Sequence, residues 1–313
     1  MKAILLEQAG GVENLILKDI AKPELKDNEV LVENQAISIN PADTKVKYSN
    51  EGLNMLISPE RPIVLGWDIA GTVVAVGDKV SQYQIGDKVF GMVNFPGHGK
   101  AYAEYVAAPE SHLAAIPKGT SFTQAAATTL AALTALQALK GRVSPGDKVL
   151  IHAGSGGVGH FAVQIAKKMG AYVVSTSSSK NLDFVMSLGA DEHIDYRTQA
   201  FEEAVSDMNL VFDTVSADTA EKSLTVLGKG GRLVSITLME IPADLQAKAD
   251  ALEVSIDKLL VQSNGEDMKL LSSWLESGAI KPHVSQTFAF EKLGEAHTSI
   301  EAGRSVGKVI VTL

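Results

Sequence analysis

The first third of the chain alternates short apolar or β-branched runs with turn residues: Glu29-Val30-Leu31-Val32, Gly71-Thr72-Val73-Val74-Ala75-Val76-Gly77, Asp87-Lys88-Val89-Phe90-Gly91 and Ala103-Glu104-Tyr105-Val106. Punctuation at this spacing predicts a small antiparallel barrel or sandwich. From about Gln124 the rhythm changes. One long helix is predicted over residues 125–139, ending at Gly141, and Pro145-Gly146 then makes a turn. Beyond it, apolar runs of the kind buried in a parallel sheet (149–151, 173–174, 210–212, 233–236) alternate with helical patterns. Phe161, Ile165 and Met169 lead to Gly170; Leu182, Val185 and Met186 lead to Gly189; Ala220, Leu224 and Leu227 lead to Gly228. Each glycine is placed to take the left-handed helix-cap conformation. Strands and helices alternating at this length predict a doubly wound α/β domain. After about Gly265, one more helix (Leu270, Leu271, Trp274, Leu275, stopped by Gly278) precedes two strands, 287–290 and 308–312.

Composition narrows the function classes. With 313 residues, 45% hydrophobic and 21% charged, the chain has the length and balance of two ordinary domains. Its longest apolar stretch, 125–139, is interrupted by Thr128, Thr129, Thr134 and Gln137 and falls short of the roughly 20 residues a bilayer crossing needs, so it reads as a buried helix. The start, Met1-Lys2-Ala3-Ile4-Leu5-Leu6-Glu7, lacks the layout of a secretory signal, and the expectation is a cytoplasmic protein without a membrane partner. The absence of cysteine excludes disulfides, thiolate catalysis and every sulfur-ligated zinc or iron site. A net charge of −9 repels phosphate backbones, so no nucleic-acid partner is expected. An anionic cofactor needs only a local cluster of backbone N–H donors.

Such a cluster is encoded at Gly154-Ser155-Gly156-Gly157-Val158-Gly159, which satisfies G-x-G-x-x-G. It lies between a predicted strand (148–152) and a predicted helix (160–169), with a second strand (171–176) completing the βαβ unit. Glycine there permits the tight turn, lets the backbone approach a pyrophosphate and lets the helix pack closely, while the helix N-terminus offers N–H groups to the anion. Sites that prefer NAD place Asp or Glu at the end of the second strand, about 20 residues on, to hold the ribose 2′-hydroxyl. Here the chain reads Ser175-Thr176-Ser177-Ser178-Ser179-Lys180. Hydroxyls and an ammonium can donate to a 2′-phosphate that a carboxylate would repel, which selects NADPH; a polar surface turn with a solvated lysine is the alternative for the individual serines.

These features, together with Asn40-Pro41-Ala42-Asp43, Pro62 to Val73 (with Gly66-Trp67-Asp68), Gly86-Asp87-Lys88-Val89, Ala101-Tyr102-Ala103-Glu104-Tyr105, Leu133-Thr134-Ala135 and Glu301-Ala302-Gly303-Arg304-Ser305-Val306-Gly307-Lys308-Val309, resemble the medium-chain dehydrogenase/reductase superfamily. The resemblance covers essentially the whole length and is to the zinc-free quinone oxidoreductase (zeta-crystallin-like) group. It implies a GroES-like β-rich catalytic domain, residues 1–123 and 265–313, and a Rossmann NADP-binding domain, residues 124–264, with cofactor held in the cleft. Zinc alcohol dehydrogenases of the superfamily have a catalytic Cys where this chain has Asn40, and Gly-His-Glu where it has Gly66-Trp67-Asp68. An amide and an indole leave no Lewis acid for alcohol oxidation by the zinc route.

Carried over residue by residue, the resemblance implies that Asn40 and Asp43 line the catalytic cleft near the nicotinamide, with Thr128 or Thr129 close by. Gly156, Gly157, Val158 and Gly159 hold the pyrophosphate. Ser177, Ser178 and Lys180 hold the 2′-phosphate, Tyr196 lies along the adenosine side, and Ser235 and Arg304 are further cofactor contacts. Asn40 and Asp43 flank a proline, so they also read as turn or N-cap residues. Trp67 reads equally as core or substrate wall; His98 and His152 read as loop and packing residues, and Lys45 and Lys47 as solvated. Family members carry a tyrosine soon after Asn-Pro-x-Asp, where this chain has Lys45, with Tyr48 at a different step. The expected activity is hydride transfer from NADPH to a small quinone or enone, the charge on the substrate oxygen being met by the Asn40 amide, a ribose hydroxyl or water. A homodimer is implied, and an NADPH-binding regulatory or structural protein is the alternative.

Overall fold

The alternating segments of the first third are strands in the computed structural model, which describes residues 1–313. In chain order they are β1 (Lys2–Leu6), β2 (Leu15–Asp19), β3 (Glu29–Ile39), β4 (Ile63–Val64), β5 (Asp68–Val76), β6 (Lys88–Met92), β7 (Tyr105–Pro109) and β8 (Leu113–Ala115). Helices α1 (Pro41–Val46) and α2 (Asn50–Leu56) follow β3, and α3 (Phe122–Ala127) and α4 (Leu130–Leu139) follow β8. Strands β9 (Lys148–Ile151), β10 (Tyr172–Ser177), β11 (Glu192–Asp195), β12 (Met208–Asp213), β13 (Leu227–Ser235) and β14 (Ser255–Lys258) come next. They alternate with α5 (Gly159–Lys168), α6 (Leu182–Ser187), α7 (Phe201–Ala204), α8 (Ala217–Ser223) and α9 (Ala243–Ala251). The chain closes with α10 (Gly265–Glu276), β15 (Val284–Ala289), α11 (Leu293–Glu301) and β16 (Lys308–Thr312). Two structural units result, residues 1–133 with 261–313, and residues 134–260.

In the first unit β3 is the organising strand. It pairs antiparallel with β5 along one edge, and with β7 and then β16 along the other. Val30, Val32, Asn34 and Ala36 are buried and alternate with half-buried Leu31, Glu33 and Gln35, which fixes the register because a one-residue slip would turn them outward; from Ala36 to Ile39 both faces are buried. The sheet order is β15-β16-β3-β5-β6-β8, with β1, β2 and β4 forming a separate small sheet. All pairings are antiparallel except β15 with β16, so the two chain ends meet in one β-rich unit.

In the second unit six parallel strands run β11-β10-β9-β12-β13-β14, the doubly wound order 3-2-1-4-5-6 of a Rossmann sheet. Leu150, Val174, Val211, Leu233 and Ile256, from five of the strands, pack against Leu224, Leu245 and Ala249 in one buried cluster. The order reverses at β9, between β10 and β12, and in sheets of this order ligands bind outside the carboxyl ends of the strands at that switch point.

Three expectations need correction. The helix over 125–139 is two helices, because the Thr128 and Thr129 hydroxyls bond back to Gln124 O (2.9 Å) and Ala126 O (2.7 Å), and the Asp68 carboxylate accepts from Leu130 N (2.9 Å) to start α4 afresh. Gly228 is no helix cap: α8 stops at Ser223, Gly228 lies inside β13, and the left-handed glycine is Gly230, at φ +75°. Helices α1, α2, α7, α9 and α11 lie in segments whose periodicity predicted no helix. No helix is long and apolar enough to cross a membrane.

Candidate active site

The glycine loop leaves β9 through His152 and Ala153, the latter in the left-handed region at φ +53°. Close approach explains two of its glycines. A Cβ on Gly154 would stand 2.0 Å from Ser175 Oγ, and one on Gly159 would stand 2.1 Å from Ala153 O. The loop is tied to β10 by Gly154 N donating to Thr176 O (2.9 Å) and Ala153 N to Thr176 Oγ1 (3.1 Å), and to the following turn by Asn181 Nδ2 donating to Ser155 Oγ (2.9 Å). Val158 is the N-cap of α5, so Gly157, Val158 and Gly159 carry N–H groups that precede the first intrahelical bond and can face an anion. His152 beneath the loop is a packing residue: burial holds it neutral, down to about 4, with its two ring nitrogens on Thr176 Oγ1 (3.2 Å) and Ser223 Oγ (3.1 Å).

At the end of β10, Ser177 and Ser178 are buried and Lys180 is exposed. Ser177 Oγ sits 2.7 Å from His193 Nε2 and donates toward Ser178 O (3.2 Å). No acid lies on β10, but Asp195 ends the neighbouring β11, opposite Ser177. Its carboxyl is held below the usual range by the Arg197 backbone N–H and by hydrogen bonds from Ser179, so it is already committed to the turn. Tyr196 beside it is exposed. Ser235, by contrast, is fully buried and spends its hydroxyl on Asp213 Oδ2 (2.8 Å), beside Thr237 on the same oxygen (2.7 Å).

The first unit holds a buried polar cluster that strand order creates. β16, β3 and β5 are neighbours, so Lys308 at the start of β16, Asn40 just past β3 and Asp68 at the start of β5 meet. Asn40 is extended (φ −125°, ψ 155°) and caps α1, which has Pro41 in its first turn, and the Asn40 backbone N–H donates to Asp43 Oδ2 (2.7 Å). The Asn40 amide is fully used: Nδ2 donates to Asp68 Oδ2 (2.8 Å) and weakly to Ser38 O (3.4 Å), and Oδ1 accepts from Lys308 Nζ. Lys308 also donates to Ile39 O (3.1 Å). Two carboxyls and one ammonium thus share a site closed to water. Burial, and then the Asp68 charge, push Asp43 up to about 7; burial also raises Asp68 and lowers Lys308. Thr129 is buried near Asp68, and Arg304 is exposed on the loop before β16.

Four more titratable groups, Tyr102, His297, Lys47 and Glu301, pack beside it. Tyr102 OH contacts His297 Nε2 at 2.8 Å; burial, then the Asp43 charge, raise the phenol well above its ordinary range, and burial, then Lys47, bring the imidazole down to about 3. Lys47 is fully buried, donating to Thr44 O (3.1 Å) and to Glu301, with its ammonium 3.8 Å from the Tyr48 ring centroid. That corrects the expectation of a solvated Lys47; Lys45 is exposed as expected. Trp67 is core, edge-on to Phe95 and donating to Gly97 O (2.8 Å). Sequence reasoning assigned no role to Asp68, Lys308, Tyr102, His193 or His297. No local spacing links them; strand order brings Asp68 to Lys308 and His193 to Ser177, and the packing of α11 brings His297 to Tyr102.

Comparison with known proteins places this architecture. The family described as "Alcohol dehydrogenase GroES-like domain" matches residues 26–118, and that described as "Zinc-binding dehydrogenase" matches residues 188–311. The chain is 35% identical to the 2-methylene-furan-3-one reductase of Solanum lycopersicum, over 99% of this chain and 79% of that protein. It is 34% identical to the NADPH-dependent alkenal/one oxidoreductase, chloroplastic, of Arabidopsis thaliana, with the same coverages. It belongs to the zinc-free quinone oxidoreductase group of the medium-chain dehydrogenase/reductase superfamily. The solved quinone oxidoreductase from Coxiella burnetii superposes with a TM-score of 0.94 at 35% identity, covering 100% of this chain and 99% of that one. That from Escherichia coli, complexed with NADPH, gives 0.88 at 27% identity, covering 100% of both.

The second family description names zinc, and the residues present do not fit that metal. The chain has no cysteine, the Asn40 amide is consumed by Asp68 and Lys308, Trp67 is core, and no three His, Asp or Glu side chains converge with ligand geometry. This quinone oxidoreductase-group chain therefore offers zinc no donor set.

Proposed function

We propose that the chain is an NADPH-dependent reductase that transfers hydride to a quinone or an α,β-unsaturated carbonyl compound. The observation that carries the reading is the switch point of the 3-2-1-4-5-6 sheet, where a glycine loop with no room for a Cβ at Gly154 or Gly159 lies beside a β10 that ends in Ser177 rather than an acid. Bound NADPH supplies the hydride, and the chain's residues hold and orient it. Gly156, Gly157, Val158 and Gly159 bind pyrophosphate; Ser177, Ser178 and Lys180 bind the 2′-phosphate; Tyr196 flanks the adenosine. Thr129, Ser235 and Arg304 are assigned to the cofactor's remaining length, Ser235 acting through Asp213 because its hydroxyl is already committed. The cofactor domain expected over residues 124–264 is assigned to the unit 134–260, and the catalytic domain expected over 1–123 with 265–313 to the unit 1–133 with 261–313.

Asn40 and Asp43 are positioning residues in this reading. Both amide hydrogens of Asn40 are engaged, so the charge developing on the substrate oxygen draws its hydrogen bonds from water, and a delocalised anion needs fewer of them than an alkoxide. The proton that completes the product comes from solvent. We assign the protein to the cytoplasm and to a homodimer; β14 pairs only with β13 and leaves an open sheet edge for a second copy.

The test is absorbance of reduced nicotinamide with purified protein, comparing NADPH with NADH on adding a quinone and, separately, a simple enone. Faster loss with NADPH supports the reading. Tight binding of NADPH without turnover on either acceptor class would instead indicate a regulatory or structural protein.

A further inference from the structure

The residue beside Ser177 is a histidine, and its geometry gives the cofactor site a proton-linked element. The parallel register sets His193 opposite Ser175 and Asp195 opposite Ser177, so His193 and Ser177 project from the same face of adjacent strands, with Nε2 2.7 Å from Oγ. Ser177 occupies the strand-end position from which an NAD site's carboxylate would reach the ribose. It is a buried hydroxyl with one hydrogen and two partners, His193 Nε2 and Ser178 O. A neutral imidazole allows the hydrogen to point either way. An imidazolium allows one arrangement only: Nε2–H donates to Ser177 Oγ, and the serine hydrogen is released from the ring to seek another acceptor.

We propose that His193 is a positioning residue for 2′-phosphate recognition, acting through Ser177 and becoming more protonated, with uptake from solvent, when the phosphate binds. The inference rests on the NADPH reading above. The groups around His193 allow the switch. Burial disfavours its charged form, and Asp195 on the same strand favours it, leaving its pKa below the ordinary value and the free protein's imidazole neutral at pH 7. Glu192, next along β11, is bonded to the Tyr172 hydroxyl, and Asp195 is engaged by Arg197 N–H and Ser179. Lys180 is exposed on the turn after β10. A phosphate dianion at Ser177 adds the negative charge that burial had left the imidazolium without, so binding and protonation reinforce each other. The only bond formed is N–H on the imidazole. NADH, with a hydroxyl in place of the phosphate, has no such linkage.

The experiment uses the full chain, wild type and His193→Gln, with Ser177→Ala as a second variant. Calorimetric titration of NADPH, NADH and adenosine 2′,5′-bisphosphate across pH 5.5–8, in two buffers of different ionisation enthalpy, counts protons taken up. Histidine ring NMR reads the His193 titration directly, and His193→Gln assigns its signal. The phosphate's own titration, near pH 6, is common to all variants and cancels in the difference. The expected result is proton uptake with the two phosphorylated ligands beyond that of either variant, and none in excess with NADH. The His193 titration should rise by about one unit on binding, which corresponds to roughly three- to sixfold weaker NADPH binding for His193→Gln near pH 6, approaching tenfold only at lower pH, and to convergence with wild type near pH 8. Tight NADPH binding with superimposable proton counts in wild type and His193→Gln, or an unmoved His193 signal, overturns the proposal and leaves a packing role. Failure of NADPH to bind, or equal affinity for NADH at every pH, overturns the cofactor reading along with it.

Discussion

Replacing Asp43 by Asn tests the electrostatics of the buried cluster with little change of shape. Asp43 is fully buried, accepts from Asn40 N at 2.7 Å through Oδ2, and has no partner at hydrogen-bonding distance on Oδ1. Asparagine keeps the capping acceptor and mimics the protonated acid. Burial and the Asp68 charge raise the folded-state pKa from 3.8 to about 7, so between roughly pH 4 and 7 the native state holds a proton that the unfolded state has released. The sign follows: this group's stability is fully present below about pH 4 and is lost as pH rises through 7. Taking those two values, wild type gives up about 3 kcal/mol from Asp43 between pH 5 and pH 8, whereas Asp43→Asn gives up none. Buried histidines such as His152 titrate in both proteins and cancel in the difference. Urea unfolding of the two proteins at pH 5, 6, 7 and 8 reads the result. Asp43→Asn should gain on wild type with rising pH, by about 1 kcal/mol per unit around pH 6. A difference independent of pH, or one that favours wild type increasingly above pH 6, would refute the reasoning and show that Lys308 keeps both carboxylates ionised.

Other substitutions probe the remaining parts. Gly159→Ala places a methyl 2.1 Å from Ala153 O and 2.8 Å from its carbonyl carbon, so the first turn of α5 must shift; the expected loss is about 1–3 kcal/mol of stability and a clear weakening of NADPH binding by fluorescence titration, and unchanged values would show that the loop tolerates a Cβ. Ser177→Asp restores a strand-end carboxylate, and the ratio of NADPH to NADH affinity should fall roughly a hundredfold through like-charge repulsion of the phosphate; an unaltered ratio would place the 2′ position elsewhere. Glu301→Gln leaves the fully buried Lys47 ammonium without its counter-charge and should cost about 3 kcal/mol in thermal or urea unfolding, while Lys47→Met in the same background should recover most of it. Equal stabilities of Glu301→Gln and wild type would mean that Thr44 O and the Tyr48 ring suffice for that ammonium.

The second unit was the more legible. Its central strands β9, β10, β12 and β13 carry buried apolar runs, unlike the edge strands β11 and β14, and its phosphate loop is contiguous, so each signal lies within a few residues of the next. Gly170 and Gly189 take the left-handed conformation that their places after helical patterns predicted, at φ +87° and +104°. Gly228 misled because apolar Leu224 and Leu227 continue a helical spacing across a chain that has already turned into a short 3-10 segment and then a strand. The break after Ala127 was hidden for a related reason. Its cause is the Asp68 carboxylate, sixty-two residues away in the chain, which accepts Leu130 N.

The sequence by itself determined the α/β class, the glycine loop, the absence of sulfur ligands and the absence of an acid on β10, because each depends on residue type and local spacing. Tertiary structure decided what the polar side chains do. Asn40 became a cap with a saturated amide, and Lys47 went from an expected surface position into the interior; Asp43, Asp68 and Lys308 became one buried charge system, and His193 was set against Ser177. A hydrogen bond or an ion pair is fixed by which strands lie side by side and in what register, and in both units those neighbours are distant in the chain. The energetic weight of such a group then follows from burial, since a charge that is inexpensive in water is costly where water is excluded.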